Sequence, residues 1–477
     1  MWTISRKLRN DMFSLFKQGD CVAAAEAAAM QFGMFRSGDE GWKKFSDFIL
    51  EQDTVLDHKP LGEIAFFLNT LADANVSSGS FWSTLFDKKL NAKISGDKTQ
   101  INDLVAVISA CSKVDYRPEV AVEKLVNSMM ENETVWICSP KDLVEVVKVL
   151  GNCFVQNRAF FMEVSNRIVL EVDEFEESEL LAILVAFSRV NLLNSDMLKI
   201  VVRKFCGDSY SSTLTMNQKI LVCHVLGKLR FRSDTFFRSV CQHLESGDLS
   251  LGNLATLGVS MKMLKMDTGS TDWWDKEKDY KRIIELVEKG TENVGEIAKL
   301  DAKELGNVSL LIGGQMKMKT TNAVMKRIQH LLVNEPLSRS HRYLAAIMDG
   351  ISRSKDPSVQ GDHLRWVAEW ICGNVYIVTT QDIVVINRAL GKLGFKDHNY
   401  HKIWIPYYLE RLDTLGKDDI TSISDNFNSI GMSDSLLGGR HFFYKLGKRF
   451  QELTIAQTGN KQLNIERKYR NLLQRLG

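Results

Sequence analysis

The stretch KILVCHVLGKLRFRSDTFFRSVCQHL, residues 219–244, decides the fold, because it holds two apolar runs joined by a short polar link. In the first run apolar residues recur at helical spacing from Leu221 to Leu229, and in the second from Phe236 to Leu244. Ser233, just before the second run, is a good helix N-cap residue. The stretch therefore predicts two helices packed as a hairpin.

The six residues LGKLRF at 226–231 recur as LGKLGF at 390–395, so the hairpin belongs to a repeated unit. With the end of the first helix as reference, similar units occur at Leu71, Cys111, Leu150, Phe187, Leu226, Leu257, Ile312, Met348, Leu390 and Phe427. Most steps between them are within a few residues of 38. Because one helix pair cannot bury its own apolar stripe, such pairs stack and share a core. The sequence predicts an all-α fold, an α-solenoid of about ten antiparallel two-helix repeats.

Helix start signals and one irregular step divide the predicted solenoid. Candidate N-caps are Ser139 before Pro140, Ser178, Asp301 with Glu304, and Thr379 with Asp382. The step from Leu257 to Ile312 is 55 residues and includes Trp273 and Trp274, which we interpret as core or staple residues. The predicted divisions are 1–20 (transit segment or first helix), 21–267 (repeats), 268–300 (irregular insertion or degenerate repeat), 301–439 (repeats) and 440–477 (basic helical cap or tail).

Composition excludes a disordered chain, a fibrous repeat protein and a disulfide scaffold. The 477 residues include 61 Lys+Arg against 59 Asp+Glu, with 44% hydrophobic and 25% charged residues, as in an ordinary folded chain. The six prolines fall far below the usual share of about 5%, which favours helices. The eight cysteines form no C-x-x-C pair, which is typical of buried thiols in a reducing compartment. No stretch approaches the ~18–20 apolar residues that span a bilayer, so we predict no membrane segment.

The N-terminal residues 1–20 are basic, amphipathic and poor in acids, with Asp11 the one acid before Asp20. This pattern is typical of a mitochondrial transit segment. The alternative interpretation is an ordinary first helix of the fold. We expect a mitochondrial matrix location, and the sequence leaves open whether the segment is cleaved.

Motif searches favour a noncatalytic protein. The sequence has no phosphate-binding glycine loop, no G-x-S-x-G and no H-E-x-x-H. His398 and His401 have possible ligand spacing, but no cysteine lies near them in sequence. We predict no catalytic residue, no metal, no cofactor and no small-molecule substrate.

Charge is distributed unevenly. Residues 440–477 hold nine basic and two acidic residues, a net +7, which leaves −5 for the remainder since the whole chain carries +2. Residues 171–179 hold six acids, which suits contact with a basic protein.

The candidate RNA-binding residues are Lys228, Arg230, Arg232, Lys392, Lys396, Arg440, Lys445, Lys448, Arg449, Arg467, Lys468 and Arg470. Phe231, Phe395 or Tyr400 could stack on bases. The alternative is that cations near helix C-termini only offset the macrodipole; Lys317 and Lys319 form a similar cluster.

The repeat units ELLAILVAFSRVNLLNSDMLKIVVRKF (179–205) and residues 219–244 resemble the helical repeats of organellar RNA-metabolism proteins. These include FAST-kinase and RAP-domain proteins and the ARM/HEAT-like components of kinetoplastid mitochondrial RNA-editing substrate-binding complexes. The resemblance covers about residues 60–450. It implies a noncatalytic mitochondrial protein that holds RNA or builds a ribonucleoprotein. No C-terminal RAP or FAST-type domain is recognisable, and no individual residue can be transferred.

Three functions remain open at this point. The first is an RNA-binding scaffold for single-stranded RNA and several protein subunits in mitochondrial RNA processing or mRNA editing (guide RNA/mRNA substrate binding). The second is a protein-only scaffold, such as an accessory subunit of a mitochondrial ribosome or of a respiratory or ATP synthase assembly. The third is an enzyme whose site rests on His398 and His401 alone.

Overall fold

The fold is all-α in a computed structural model of the chain. The residues that it describes are 12–32, 40–52, 55–74, 76, 79–96, 99–114, 116–206, 213–244, 249–266, 274–335, 340–354, 359–375, 378–432 and 441–458. Every regular element among them is a helix, and no β-strand occurs in these ranges, so the predicted class is confirmed. Within the same ranges, no helix combines the length and apolar character that crossing a membrane requires.

Two compact units divide the chain between residues 245 and 246. The helices of the first unit, α1 to α14, are Cys21–Phe32, Glu40–Glu51, Leu61–Asp73, Gly79–Leu85, Asn91–Ser95, Ile101–Lys113, Glu119–Met130, Thr134–Ile137, Pro140–Asn152, Arg158–Glu171, Glu177–Val190, Ser195–Cys206, Met216–Lys228 and Asp234–Cys241. Those of the second unit, α15 to α25, are Leu251–Met263, Lys276–Thr291, Val294–Lys299, Ala302–Ile312, Met318–Asn334, His341–Ile351, Gly361–Gly373, Thr380–Lys392, His398–Glu410, Lys417–Ser429 and His441–Thr458. Helices α16 and α17 thus occupy much of the stretch that the sequence set apart at 268–300.

Each unit contains two rows of helices. In the first unit α1, α3, α6, α9, α11 and α13 contact one another in series, and we call them first-row helices. In the second unit the first-row helices are α15, α18, α20, α22 and α24. The remaining helices are second-row helices, which also contact along their row, as α7, α10, α12 and α14 do. All ten positions that the sequence marked as ends of first helices lie in first-row helices, so the repeat-like character is confirmed.

Side-chain caps begin several first-row helices where the sequence predicted them. Ser139 Oγ accepts from the Asp142 N–H at 3.2 Å, and Thr379 Oγ1 does the same for Asp382 at 3.1 Å. Asp301 and Glu304 form a reciprocal capping box. The prediction of Ser178 as an N-cap is wrong. Helix α11 begins two residues earlier, because a capping box at Glu176 satisfies the first amides of that helix.

The first-row helices end in a recurring turn that satisfies their last carbonyls. The Val155 N–H donates to Leu150 O at 3.0 Å, Phe231 to Leu226 O at 2.9 Å, and Phe395 to Leu390 O at 2.9 Å. The residue before each donor has a positive φ, as in a Schellman motif. The turn therefore ends the first helix and aims the chain at the second.

The glycine of the LG pair is required by close helix packing. A methyl group on Gly151 would lie 2.6 Å from Cβ of Ala186 on the next first-row helix. On Gly391 it would collide with the side chain of Asn426. At the LG pair, the backbone of one first-row helix therefore lies directly against a side chain of the next. This close contact explains why the pair recurs in the sequence.

Second-row helices are linked by buried or half-buried cations. Arg167 of α10 is buried, and its Nη1 donates to the carbonyls of Val135 and Cys138 at 2.7 and 2.8 Å, at the C-terminal end of α8. Lys204 of α12 donates to the carbonyls of Val172 and Phe175 at 2.7 and 2.8 Å, just after α10. Equivalent bonds join Lys93 to Leu56 and Asp57, Lys124 to Gly96, Arg327 to Leu300, and Arg449 to Asp413. Each cation thus caps carbonyls at or just beyond the end of the preceding second-row helix.

The described part of the N-terminal segment belongs to the fold. Residues 12–17 are helical, with Met12 and Phe16 buried. The Phe16 ring lies 5.8 Å from that of Phe67 on α3. Residues 1–11 lie outside the described residues, and the transit segment stays a prediction.

All eight cysteines are free thiols. Five of them are buried, namely Cys21, Cys111, Cys153, Cys223 and Cys241. Burial raises the pKa of the Cys21 thiol to about 11. These five side chains therefore act as small apolar core residues, as the spacing of the cysteines predicted.

We expect Arg167→Met to lower the free energy of unfolding by about 2–4 kcal/mol, because it leaves buried carbonyls without a donor. The matched control is Arg203→Met, which removes an exposed cation from the neighbouring α12 and should change stability by less than about 0.5 kcal/mol. Urea unfolding followed by circular dichroism measures both. Equal losses in the two variants would contradict the capping role of Arg167.

Candidate nucleic-acid interface

The cluster Lys228, Arg230 and Arg232 lies at the turn after α13. All three side chains are exposed. Arg232 is held by Asp234, with its Nε and Nη2 donating at 2.7 and 3.1 Å, and this bond raises the pKa of Arg232. Arg230 has no hydrogen bond or ion pair to its side chain in the described part of the chain. Of this cluster, Arg230 is thus the cation best placed for a ligand.

In the equivalent cluster after α22, the cations are not engaged by other side chains. Lys392 and Lys396 are exposed, and neither has a side-chain partner among the described residues. Phe395 is half-buried, with its ring 5.4 Å from that of Tyr400. The hypothesis that Tyr400 stacks on a base is wrong, because its ring is buried and its hydroxyl donates to Asn387 Oδ1 at 2.6 Å.

The C-terminal basic residues are only partly described. Arg440, Arg467, Lys468 and Arg470 lie outside the described residues. On α25, Lys448 is exposed and Lys445 is half-buried. Arg449 donates to Asp413 O at 2.7 Å and lies 3.7 Å from Glu452, so it contributes to the fold. Two of the aromatic residues near these cations, Phe442 and Phe443, are buried against Phe427 at 5.3 and 6.0 Å, whereas Tyr444 is exposed.

The histidine pair is built into helix packing. His401 is fully buried, with Nε2 3.2 Å from Phe395 O and Nδ1 3.3 Å from Asn426 Nδ2. His398 Nε2 lies 3.1 Å from Ile430 O. No group of three or more His, Cys, Asp or Glu side chains in the described ranges is arranged to hold a metal ion.

The acidic stretch 171–179 is largely engaged within the chain. Glu171 pairs with Arg167 at 2.8 Å, and Glu177 accepts from Thr213 Oγ1 at 2.8 Å. Glu176 and Glu179 form the cap of α11. These four of the six carboxylates are therefore engaged within the chain, which weakens the interpretation of the stretch as a docking surface for a basic protein.

Trp274 is a core residue, as interpreted from the sequence. Its indole is buried and donates to Asp279 Oδ2 at 2.6 Å, and the ammonium of Lys276 lies 5.7 Å from the ring centroid. Trp273 lies outside the described residues.

The sequence did not lead us to two candidate RNA-binding residues, Phe154 and Lys265, at the turns after first-row helices. Phe154 is 51% exposed and has φ +53°, and the exposed Lys265 has φ +54°. The signal for Phe154 was available, since LGNCFV at 150–155 repeats the pattern of LGKLRF with phenylalanine in the place of Arg230. Only the structure could show that the backbone of Phe154 and Lys265 has a left-handed conformation.

Burial lowers the pKa of His401 below its ordinary 6.5, so the unfolded chain binds a proton more readily than the folded one. We expect stability contributed by neutral His401 to be complete above about pH 6.5 and to be lost as the pH falls below it, by up to about 1.4 kcal/mol per pH unit. His401→Gln should therefore show a smaller loss of stability between pH 7.5 and 5.5. The exposed His58→Gln is the control, and an unchanged pH dependence in His401→Gln would refute the assignment.

Comparison with known proteins assigns no family. No protein-family model matches the sequence, and no curated protein is significantly similar to it. The chain is therefore characterised by its all-helical, repeat-like fold and by the exposed cations at its turns.

Proposed function

We propose that this chain is a noncatalytic RNA-binding and scaffold protein of a mitochondrial ribonucleoprotein complex. It acts in RNA processing or mRNA editing, where it binds guide RNA or mRNA. The observation that carries the proposal is a set of exposed cations without partners at the turns of the second unit.

The turns after the first-row helices of the second unit lie along one edge. Arg388 Nη2 of α22 donates to Asp349 Oδ1 of α20 at 2.8 Å, near the ends of both helices. Ser354 Oγ donates to Met316 O at 3.3 Å, which joins the turns after α20 and α18. Methyl groups on Gly252 and Gly258 of α15 would collide with Glu304 and Leu311 of α18, respectively, so these helices also run in the same direction. We call this edge the turn edge of the second unit.

The turn edge carries more free cations than free acids. Its exposed lysines without a side-chain partner among the described residues are Lys262, Lys265, Lys319, Lys392 and Lys396. Three of its acids are engaged: Glu292 pairs with Lys317 at 3.0 Å, Asp349 pairs with Arg388, and Asp397 caps α23. Asp362 in the first turn of α21 is exposed and has no side-chain partner among the described residues, so free lysines outnumber free acids without excluding them. Neighbouring first-row helices lie about 8–10 Å apart, so the lysines form a row rather than one point charge. Such a row suits the phosphates of an extended strand.

We also propose that the helix pairs form a solenoid of about ten two-helix repeats. The series of contacts along each row within each unit supports it, as does the recurrence of one turn geometry. Repeats that contact only their neighbours form extended surfaces, and these suit a long single strand and several protein subunits.

The second candidate is a protein-only scaffold. Ile137 and Leu170 are 74% and 75% exposed in the first unit. Their helices α8 and α10 are in contact, and Arg167 of α10 bonds the backbone beside Ile137. Exposed aliphatic side chains at neighbouring helix ends favour a protein partner. In the main proposal this patch binds a subunit of the complex.

We expect Lys392→Ala combined with Lys396→Ala to weaken binding of a single-stranded RNA of about 20 nucleotides by at least about tenfold at low salt. Five phosphate contacts predict a slope of log K against log salt of about −3.5, and the double variant should reduce its magnitude by about 1.4. Fluorescence anisotropy on the full chain, titrated from low to moderate salt, measures both quantities.

The matched control is Lys326→Ala combined with Lys402→Ala, which removes two exposed lysines from second-row helices of the same unit. It should leave the salt slope unchanged. Binding that is equally weakened by both pairs would show that net charge, and not the turn edge, is responsible. Absence of RNA crosslinks in the native complex, with protein subunits retained, would favour the protein-only scaffold.

A further inference from the structure

Left-handed residues recur at one position of the turns after first-row helices, directly before the donor of the Schellman bond. Asn191, Gly394 and Gly431 occupy it with φ of 53°, 89° and 73°, and these residue types adopt this conformation readily. Phe154, Arg230 and Lys265 occupy it with φ of 53–54°. For such side chains the conformation is unfavourable, and residues held in it are concentrated at functional sites.

Phe154 faces an open groove between two turns of the first unit. The groove, about 540 Å³ in volume, lies between the N-terminal part of α7 and the turn after α9. Its apolar surface comes mainly from the half-exposed ring of Phe154, since the apolar lining residues Val122 and Val126 are buried. The amides of Asn127 and Gln156 also line it. A flat apolar ring beside amide groups is suited to a nucleobase, which offers a ring face and a polar edge.

The charges around the groove separate a site for a base from a site for phosphates. Arg117 is paired with Glu119 at 3.1 Å. Glu123 has no partner in the described ranges, and its carboxylate disfavours a phosphate inside the groove. Outside the groove, Arg158 at the start of α10 is exposed and without a partner among the described residues.

The packing of the first-row helices places Arg230 on the same edge of the first unit as Phe154. Helices α9, α11 and α13 pack in series, so the turn with Phe154 and the turn with Arg230 are two repeats apart, or roughly 20 Å. Between them are the exposed Leu193 and Met162, whose Sδ lies 3.9 Å from Asn194 Nδ2. An aromatic ring and a cation thus lie on the same edge, which we call the turn edge of the first unit.

We propose that the turn edge of the first unit binds single-stranded RNA, with one unpaired base stacked on Phe154 and backbone phosphates at Arg158 and Arg230. This proposal rests on the proposed RNA-binding function and assigns it a base-contacting site. Glycine at Phe154 or Arg230 would relieve the unfavourable backbone conformation but would remove the ring or the charge that the proposed site needs.

The test compares Phe154→Gly with Phe154→Tyr and Phe154→Leu in the full chain, with a mixed-sequence single-stranded RNA as the probe. Stacking on an aromatic side chain predicts that Phe154→Gly and Phe154→Leu bind RNA about 5- to 150-fold more weakly, whereas Phe154→Tyr binds as the wild type does. Phe154→Gly should also raise the melting temperature, because glycine adopts positive φ without strain. The salt slope should not change in these variants, since no charge is lost.

Arg230→Gly and Asn191→Gly complete the comparison. Arg230→Gly should raise the melting temperature and reduce the magnitude of the salt slope by about 0.7, because one phosphate contact is lost. Asn191→Gly alters the same position in the intervening turn and should leave RNA affinity unchanged.

The outcomes distinguish this inference from the proposed function. If the wild type binds no RNA, alone or in its native complex, the proposed function fails and the inference with it. If the wild type binds RNA and Phe154→Gly and Phe154→Leu bind it equally well, only the inference fails. Loss of a protein subunit from the Phe154→Leu complex at unchanged RNA affinity would likewise overturn it and assign the turn edge to protein docking.

Discussion

The carbonyl groups at helix C-termini impose the constraint on which the rest of this structure depends. Every helix leaves its last four carbonyls without an intrahelical partner, and a chain of short stacked helices has many such ends. First-row helices satisfy theirs locally, through turns such as the one in which the Phe231 N–H bonds Leu226 O. Second-row helices depend on the next repeat, as Arg167 shows for α8. The two ends of each helix pair therefore differ in chemistry.

This difference decides which cations are free. At second-row ends, Arg167, Lys204 and Arg449 are committed to backbone carbonyls and cannot be displaced without leaving those carbonyls unpaired. At the turns, backbone amides already bond carbonyls such as Leu390 O, so Lys392 and Lys396 are not committed to capping them. Equal charges in the sequence thus have different structural surroundings, which is why a basic cluster alone is weak support for RNA binding.

In the proposed RNA-binding function, the turns are the places where function opposes stability. A left-handed conformation costs an L-residue other than Gly, Asn or Asp about 1–2 kcal/mol. The fold needs only the backbone geometry at this position, and Gly394 and Gly431 provide it without strain. Phe154 and Arg230 add side chains that the core does not bury, since both are exposed.

The sequence by itself determined the local structure of this protein. Apolar periodicity and caps such as Ser139 and Asp301 located the helix pairs, because these features depend on neighbours within a few residues. Tertiary structure alone decided which polar side chains bond to residues distant in the sequence. The carbonyls that Arg167 caps are 29 and 32 residues away, and Tyr400 reaches Asn387 on the preceding first-row helix. Local patterns cannot specify such partners, since they depend on how helices pack within a pair and between neighbouring pairs. The exposure of Phe154 was fixed in the same way, by the turn that carries it and the groove beside it.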